Sequence, residues 1–172
     1  MNAQKNIYLI GFMGTGKSAT GRIIAKALGY DFVDMDDVIE QRAGKTITAI
    51  FAEDGEPAFR ARESALAAEL CQQEGLVVAT GGGIVLDPEN TRGFERSGFP
   101  VCFQASAGTI LRRVAEAEHR PLLEDGEKAE RIRTLLSQRK ALYDAVPHQV
   151  DTDPLTVDEQ AAEVMKLYQS QQ

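Results

Sequence analysis

The sequence predicts an α/β protein, a three-layer α/β/α arrangement with a five-stranded parallel sheet at its centre. Three observations carry that prediction. Short apolar, β-rich runs alternate with helical patterns along the 172 residues, the alternation that a parallel sheet with crossover helices produces. The first run opens into Gly11–Ser18, Gly-Phe-Met-Gly-Thr-Gly-Lys-Ser, which fits the phosphate-binding pattern G-x-x-x-x-G-K-[ST] set between a strand and a helix. The first three strand ends also carry clusters of their own, Gly11–Ser18, Asp34-Met35-Asp36 and Thr80–Gly83. Ligands collect at the carboxyl ends of such strands, so all three clusters are expected to face one crevice.

Taken in order, Asn6–Ile10 is a short apolar strand of the kind buried in a parallel sheet. Ala19–Leu28 follows as a helix with Ile23, Ile24, Ala27 and Leu28 on one face. Asp31–Asp34 reads as a second strand, and Asp36-Asp37 start a helix carrying Val38 and Ile39. Thr46–Phe51 is a short helical piece ended by Asp54-Gly55. Pro57 suits the first turn of a helix reaching Gln72, with Phe59, Leu66 and Leu70 on one stripe. Leu76–Ala79 is an apolar strand leading into Thr80-Gly81-Gly82-Gly83. Asp87-Pro88 is an N-cap with a first-turn proline, opening a helix to about Ser97. Phe99–Phe103 is the next strand and Ala107–Ala117 the next helix, before a polar interruption at His119–Gly126. Lys128–Tyr143 is a long helix, His148–Asp151 the last strand, and Thr156–Tyr168 a final helix opening on the capping-box spacing Thr156-x-x-Glu159. Right-handed crossovers should join the strands.

Composition narrows the class. A chain of this length suits a single domain over residues 1–172, burying roughly 70% of its unfolded surface without disulfide or metal support. Cys71 and Cys102 lie far apart in apolar segments and read as reduced core cysteines. No apolar run approaches the roughly 18 residues of a membrane span, and no signal-peptide pattern opens the chain. A cytoplasmic protein with no membrane partner is expected. The formal charge of −7 argues against a nucleic-acid partner. An acidic protein that binds an anionic nucleotide must concentrate its positive charge locally, which makes the placement of the arginines informative.

In Gly11–Ser18 the backbone N–H groups and the helix dipole make an anion site, Lys17 adds a full charge, and Ser18 can place its hydroxyl on Mg²⁺. Asp34, Asp36 and Asp37 could simply cap the following helix, a role that suits Asp36 or Asp37 best, but a cap explains less well why the strand-end carboxylate of Asp34 comes two residues earlier. One carboxylate near Mg²⁺ and one near an acceptor hydroxyl is the pairing that phosphoryl transfer uses. Gly81–Gly83 could be no more than a turn; at a strand end beside a phosphate loop, glycines also let a ligand reach backbone N–H groups. Glu63 falls on the apolar stripe of its helix, three residues from Arg60, and Arg139 interrupts an inward face set by Ile132, Leu135, Leu136, Leu142 and Tyr143. An inward arginine requires an anionic partner, either a structural carboxylate such as Glu63 or the carboxylate of a ligand. Arg120, in the polar interruption, is either a loop charge or the basic residue of a closing lid. His119 and His148 read as incidental, no His/Cys cluster has zinc spacing, and no G-x-S-x-G elbow occurs.

Taken together, Gly11–Ser18, Asp34-Met35-Asp36, Phe59-Arg60 with Glu63, Thr80–Gly83, Arg120-Pro121-Leu122-Leu123 and Arg139-x-x-Leu142-Tyr143 resemble the shikimate kinase family over essentially the whole chain. The resemblance implies a phosphate-loop fold of the nucleoside-monophosphate-kinase type with a mobile lid over about residues 113–125. It also implies transfer of the γ-phosphoryl of ATP to the 3-hydroxyl of shikimate, on the route to chorismate and the aromatic amino acids, by a monomer. Carried over by position, it gives the ATP phosphates to Gly14, Thr15, Gly16, Lys17, Ser18, Ala19 and Arg120, and Mg²⁺ to Ser18 and, through water, Asp34. Asp36 would bind the acceptor hydroxyl as its base, Arg60 and Arg139 would clamp the carboxylate with Gly82 and Gly83 completing that pocket, and Glu63 would orient Arg60. Lys17, Asp36 and Arg120 are thereby the catalytic set, and Arg113 lies near the adenine. Two departures stand out: Ala19 replaces a hydroxyl residue common in the family, and Thr152–Leu155 lacks the basic residue some members place against adenine. Gluconate or nucleoside-monophosphate kinases are the nearest rivals, although two inward arginines favour a carboxylated acceptor. A phosphate-loop switch is disfavoured, since the chain has neither Asn-Lys-x-Asp nor Asp-x-x-Gly.

Overall fold

The computed structural model describes residues 5–115 and 128–171. Five strands, β1 (Asn6–Gly11), β2 (Asp31–Asp34), β3 (Leu76–Ala79), β4 (Gly98–Gln104) and β5 (His148–Asp151), form one parallel sheet in the order β2-β3-β1-β4-β5. The helices are α1 (Lys17–Leu28), α2 (Met35–Ala43), α3 (Ile47–Glu53), α4 (Glu56–Leu70), α5 (Pro88–Ser97), α6 (Ala107–Ala115), α7 (Lys128–Asp144) and α8 (Val157–Gln169). The expected alternation of strand and helix is therefore present, and most boundaries agree to within two residues. Of the segment expected as a lid, residues 116–125, with His119 and Arg120, lie outside the described residues.

β1 is buried along its whole length because it lies between β3 and β4 with a helical layer on each face. Its side chains alternate between the layers, as strand geometry requires. Tyr8 and Ile10 join a core with Met35, Ile39, Phe59, Leu66, Phe94 and Ile132, from helices α2, α4, α5 and α7. Ile7 and Leu9 join the opposite core with Ile24, Val164 and Tyr168, from α1 and α8. Beyond β1 the chain first builds β2 and β3 on one side and later β4 and β5 on the other. The crevice outside the carboxyl ends at this reversal is where an open α/β sheet takes its ligands.

Local signals account for many element ends. Asp87 caps α5 by accepting from the Glu89 N–H, Pro88 opens it, and Thr156 with Glu159 forms a complete capping box at α8. The Ile84–Leu86 segment, for which the sequence predicted no element, is a 3₁₀ turn, formed as Ile84 and Leu86 bond back to the carbonyls of Gly81 and Gly83. Three expectations need correction. Leu142 is 38% exposed, because the inward stripe of α7 runs Ile132, Leu135, Arg139, Tyr143 and rotates Leu142 off it. Cys71 is only half-buried, whereas Cys102 is buried; both are free thiols. Capping of α2 falls to Asp34, described with the site below. Among the described residues, no helix is long and apolar enough to cross a membrane.

Asn6 fixes the far end of the sheet. Its fully buried amide donates to the Leu70 and Gln73 carbonyls at 3.2 and 2.8 Å and accepts from the Leu76 N–H at 2.9 Å. It thereby satisfies the turn that feeds β3. Asn6→Ala leaves these buried groups unpaired and is expected to lower stability by about 2–3 kcal/mol in urea unfolding. A loss below about 0.5 kcal/mol would contradict that role.

Candidate active site

The chain leaves β1 at Gly11 and turns through Phe12–Gly16 into α1. Gly14 (φ 78°) and Gly16 (φ 95°) take left-handed conformations, which glycine adopts without a Cβ penalty. Thr15, fully buried, closes the turn by donating from Oγ1 to the Phe12 carbonyl at 2.8 Å. α1 starts at Lys17 with no side-chain cap and no acidic residue in its first turn, and Gly16, Lys17, Ser18 and Ala19 line the cleft above it. Uncapped N–H groups and the positive end of a helix dipole suit an anion there. Lys17 Nζ donates to the Gly11 and Phe12 carbonyls at 2.6 and 2.8 Å, which anchors the ammonium over the loop.

β2 delivers Asp34 to the same place. Its Oδ1 accepts from the Asp36 N–H at 3.0 Å and caps α2, while its Oδ2 accepts from Ser18 Oγ at 2.5 Å. The sequence offered Asp36 or Asp37 as the cap; the structure uses the strand-end residue, whose extended backbone (φ −96°, ψ 117°) is the usual cap geometry. The Asp36 side chain is thereby left for the cleft. That cleft, of 570 Å³, is lined by Met13, Lys17, Ser18, Asp34, Asp36 and Gly82 among others, so the three strand-end clusters do open onto one space.

The other half of the site is a buried charge cluster around the glycine turn. α4 carries Glu63, 1% exposed, with its Oε1 accepting from Arg60 Nη1 at 2.8 Å. Arg60 Nε and Nη2 both reach Glu56 Oε1, at 3.3 and 3.2 Å. α7 brings in Arg139, 4% exposed, its guanidinium 5.9 Å from the centre of the Phe12 ring. Burial pushes the Glu63 carboxyl above its ordinary range; Arg60 and, more weakly, Arg139 pull it back, and Asp36 pushes it further up. The two guanidinium groups thus act on one buried carboxyl. Glu63 Oε2 and Arg139 Nη1 are buried without a hydrogen-bond partner.

The three glycines explain how these groups fit. A Cβ on Gly81 would lie 2.5 Å from Glu63 Oε2 and 3.2 Å from Asp36 Oδ1; on Gly83 it would overlap the Arg60 guanidinium. Gly82 packs on the phosphate loop, a Cβ there being 3.3 Å from the Met13 nitrogen, and its carbonyl accepts from Tyr143 Oη at 2.5 Å. Gly81 and Gly82 line the main cleft, whereas Gly83 lines an adjoining hollow of 300 Å³ with Arg60, Glu56 and Glu63.

Toward the far end of the cleft, Arg113 donates to the Gly14 carbonyl at 3.3 Å and to the Thr152 carbonyl at 3.1 Å, tying the phosphate loop to residues 152–155. Gln160 was not singled out by the sequence. It is buried on α8, accepts from Thr20 Oγ1 at 2.8 Å and donates to the Leu155 carbonyl at 3.3 Å. An amide on the same buried face as Ala161, Val164 and Tyr168 was the available signal. Among the described residues, no group of three or more His, Cys, Asp or Glu is placed to hold a metal.

A phosphate loop at the switch point of a parallel sheet, with a strand-end carboxylate pair and an arginine-rich acceptor side, defines a phosphoryl-transfer protein of the phosphate-loop class. The shikimate kinase family model matches residues 13–169. The shikimate kinase of Pelotomaculum thermopropionicum is 46% identical over 155 residues, covering 90% of each chain. That of Thermodesulfovibrio yellowstonii is 42% identical over 165 residues, covering 96% of this chain and 95% of its own. The solved shikimate kinase from Acinetobacter baumannii, in complex with shikimate, superposes with a TM-score of 0.92 at 35% identity, covering 98% of this chain and 94% of that one. The chain belongs to the shikimate kinase family, ATP-dependent kinases that transfer a phosphoryl group to shikimate.

The Glu63 carboxyl is expected to titrate above its ordinary 4.5 in the folded chain, and carboxyl ¹³C NMR checks it; a midpoint at or below 4.5 overturns the account of its burial. A raised folded pKa means that the stabilisation tied to the protonated carboxyl is complete below the unfolded pKa. It is lost as pH rises through the folded value. Glu63→Gln should remove that part of the pH slope from urea melts.

Proposed function

We propose that this chain transfers the γ-phosphoryl of ATP to the 3-hydroxyl of shikimate, giving shikimate 3-phosphate and ADP. The observation that carries the residue assignment is that the phosphate loop, the Asp34/Asp36 pair and the glycine turn share one cleft, with Arg60 and Arg139 converging on Glu63 behind that turn. A triphosphate tail and a hydroxylated ring acid need that juxtaposition, whereas a nucleotide acceptor would need a pocket to read a base.

In this reading the amides of Gly14–Ala19 and the Lys17 ammonium hold the β- and γ-phosphates. Arg60 and Arg139 clamp the shikimate carboxylate, and backbone groups of Gly82 and Gly83 complete the pocket. The clamp presents the 3-hydroxyl to Asp36. As the hydroxyl oxygen forms its bond to the γ-phosphorus, the bond from that phosphorus to the β,γ-bridging oxygen breaks and ADP leaves with the electron pair. Asp36 takes the hydroxyl proton. Little covalent work falls to the protein, and positioning with charge neutralisation supplies the rate. The paired oxygens of Ser18 and Asp34, 2.5 Å apart in the cleft, fit a hard divalent cation held by few protein ligands. A Mg²⁺ ion held by Ser18 and, through water, Asp34 would supply charge neutralisation for the phosphates. The family resemblance also gives Arg120, outside the described residues, to the phosphates.

A coupled assay for ADP should show turnover with ATP and shikimate and none above background with gluconate or nucleoside monophosphates; the reverse preference rejects the reading. Asp36→Asn should lose turnover with ATP affinity largely kept, and weakened ATP binding alongside a normal rate would contradict its role. Arg139→Ala should weaken shikimate binding by about 2–3 kcal/mol, the loss of a charged hydrogen-bond partner, or roughly 30- to 150-fold in Kd by calorimetry. An unchanged Kd would end that assignment.

A further inference from the structure

We propose that Tyr143 is a positioning residue for the substrate carboxylate: its hydroxyl pins α7 to the Gly82 carbonyl and so, through the helix face that also carries Arg139, sets the gap between the two walls of the carboxylate pocket. The inference rests on the function proposed above and adds a residue to it.

Arg139 and Tyr143 stand one turn apart on the buried stripe of α7, so their side chains lie side by side. A phenol has one proton to give and lone pairs to receive with. Tyr143 gives its proton to the Gly82 carbonyl at 2.5 Å, a short bond between elements 61 residues apart in the chain. Burial raises the phenol to about 12, so it remains a donor at any working pH. The opposite sides of both partners are held by the phosphate loop: Gly82 packs on the Met13 nitrogen, and Arg139 faces the Phe12 ring. The Tyr143–Gly82 bond therefore fixes how far this face of α7, with its guanidinium, stands from the glycine turn. The ring itself fills the core, 6% exposed, so a phenylalanine keeps the packing and removes only the link.

The test is a double-mutant cycle of Tyr143→Phe with Arg139→Ala, read as KM for shikimate, KM for ATP and kcat. Tyr143→Phe is expected to raise the KM for shikimate about tenfold, the loss of one short buried hydrogen bond. The kcat and the KM for ATP should stay within about twofold. In the Arg139→Ala background the same change should have almost no further effect, because the group being positioned is gone. An unchanged KM for shikimate in Tyr143→Phe, or an equal penalty with and without Arg139, overturns the proposal. If the variant has a lower Tm, the cycle is read below its transition, where coupling supports the proposal and additivity overturns it. Should wild-type protein fail to phosphorylate shikimate at all, the proposed function falls, an outcome distinct from a wild-type enzyme indifferent to Tyr143.

Discussion

A carboxyl group with 1% exposure must be compensated, and the acceptor side of this protein is arranged around how Glu63 meets that condition. Removing a carboxylate from water without partners costs several kcal/mol or forces it to hold its proton. Here Arg60 bonds one oxygen directly and Arg139 acts on the carboxyl from the α7 side. A single negative group thereby draws two guanidinium groups, from helices far apart in sequence, to one place. Arg60 also pairs with Glu56, whereas Arg139 Nη1 is buried without a hydrogen-bond partner. In the proposed function that guanidinium is where a substrate carboxylate would be received.

The glycine turn makes this charge arrangement compatible with the phosphate loop. Gly81 leaves room for Glu63 and Asp36, Gly83 for Arg60, and Gly82 for Met13. The glycine turn therefore packs between the phosphate loop and the charge cluster without a Cβ of its own. Phe12, inside the phosphate loop, adds a second shared wall because its ring faces Arg139. Rigid, closely packed elements of this kind keep reacting groups in register, and small displacements in one half are felt in the other.

The fold was largely legible because its signals are local. A buried strand leading into Gly11–Ser18, the Asp87-Pro88 cap and the Thr156–Glu159 capping box each depend on a handful of neighbouring residues. Glu63 and Arg139 were legible for a different reason: a charge at a helical position reserved for apolar side chains contradicts the pattern unless it has a partner. What the sequence could not supply are choices settled at long range. Asp34, Asp36 and Asp37 are equally good caps by type, and the selection depends on where β2 stops, which its pairing with β3 through Asp34 and Ala79 determines. Gln160 meets Thr20 across 140 residues, and no pattern within α8 encodes that encounter. The exposure of Leu142 follows from the rotational phase of α7 against the core, which a stripe containing an arginine leaves ambiguous.

Asp34 shows why a strand-end aspartate is more useful here than one placed within a helix. Its two oxygens point in different directions from one fixed backbone position, one to the first N–H groups of α2 and the other to Ser18 at the start of α1. The capping bond immobilises the carboxylate, so the oxygen turned toward the cleft needs no further side-chain ordering to hold its place. The same bond orients the Asp36 backbone and sends its side chain into the cleft beside Gly81. An aspartate at position 36 acting as the cap would commit to the helix an oxygen that the proposed function gives to the acceptor hydroxyl. The division of labour between Asp34 and Asp36 is therefore a consequence of strand β2 ending where it does. The sheet, through the register of β2 on β3, thereby fixes which carboxylate caps the helix and which only lines the cleft.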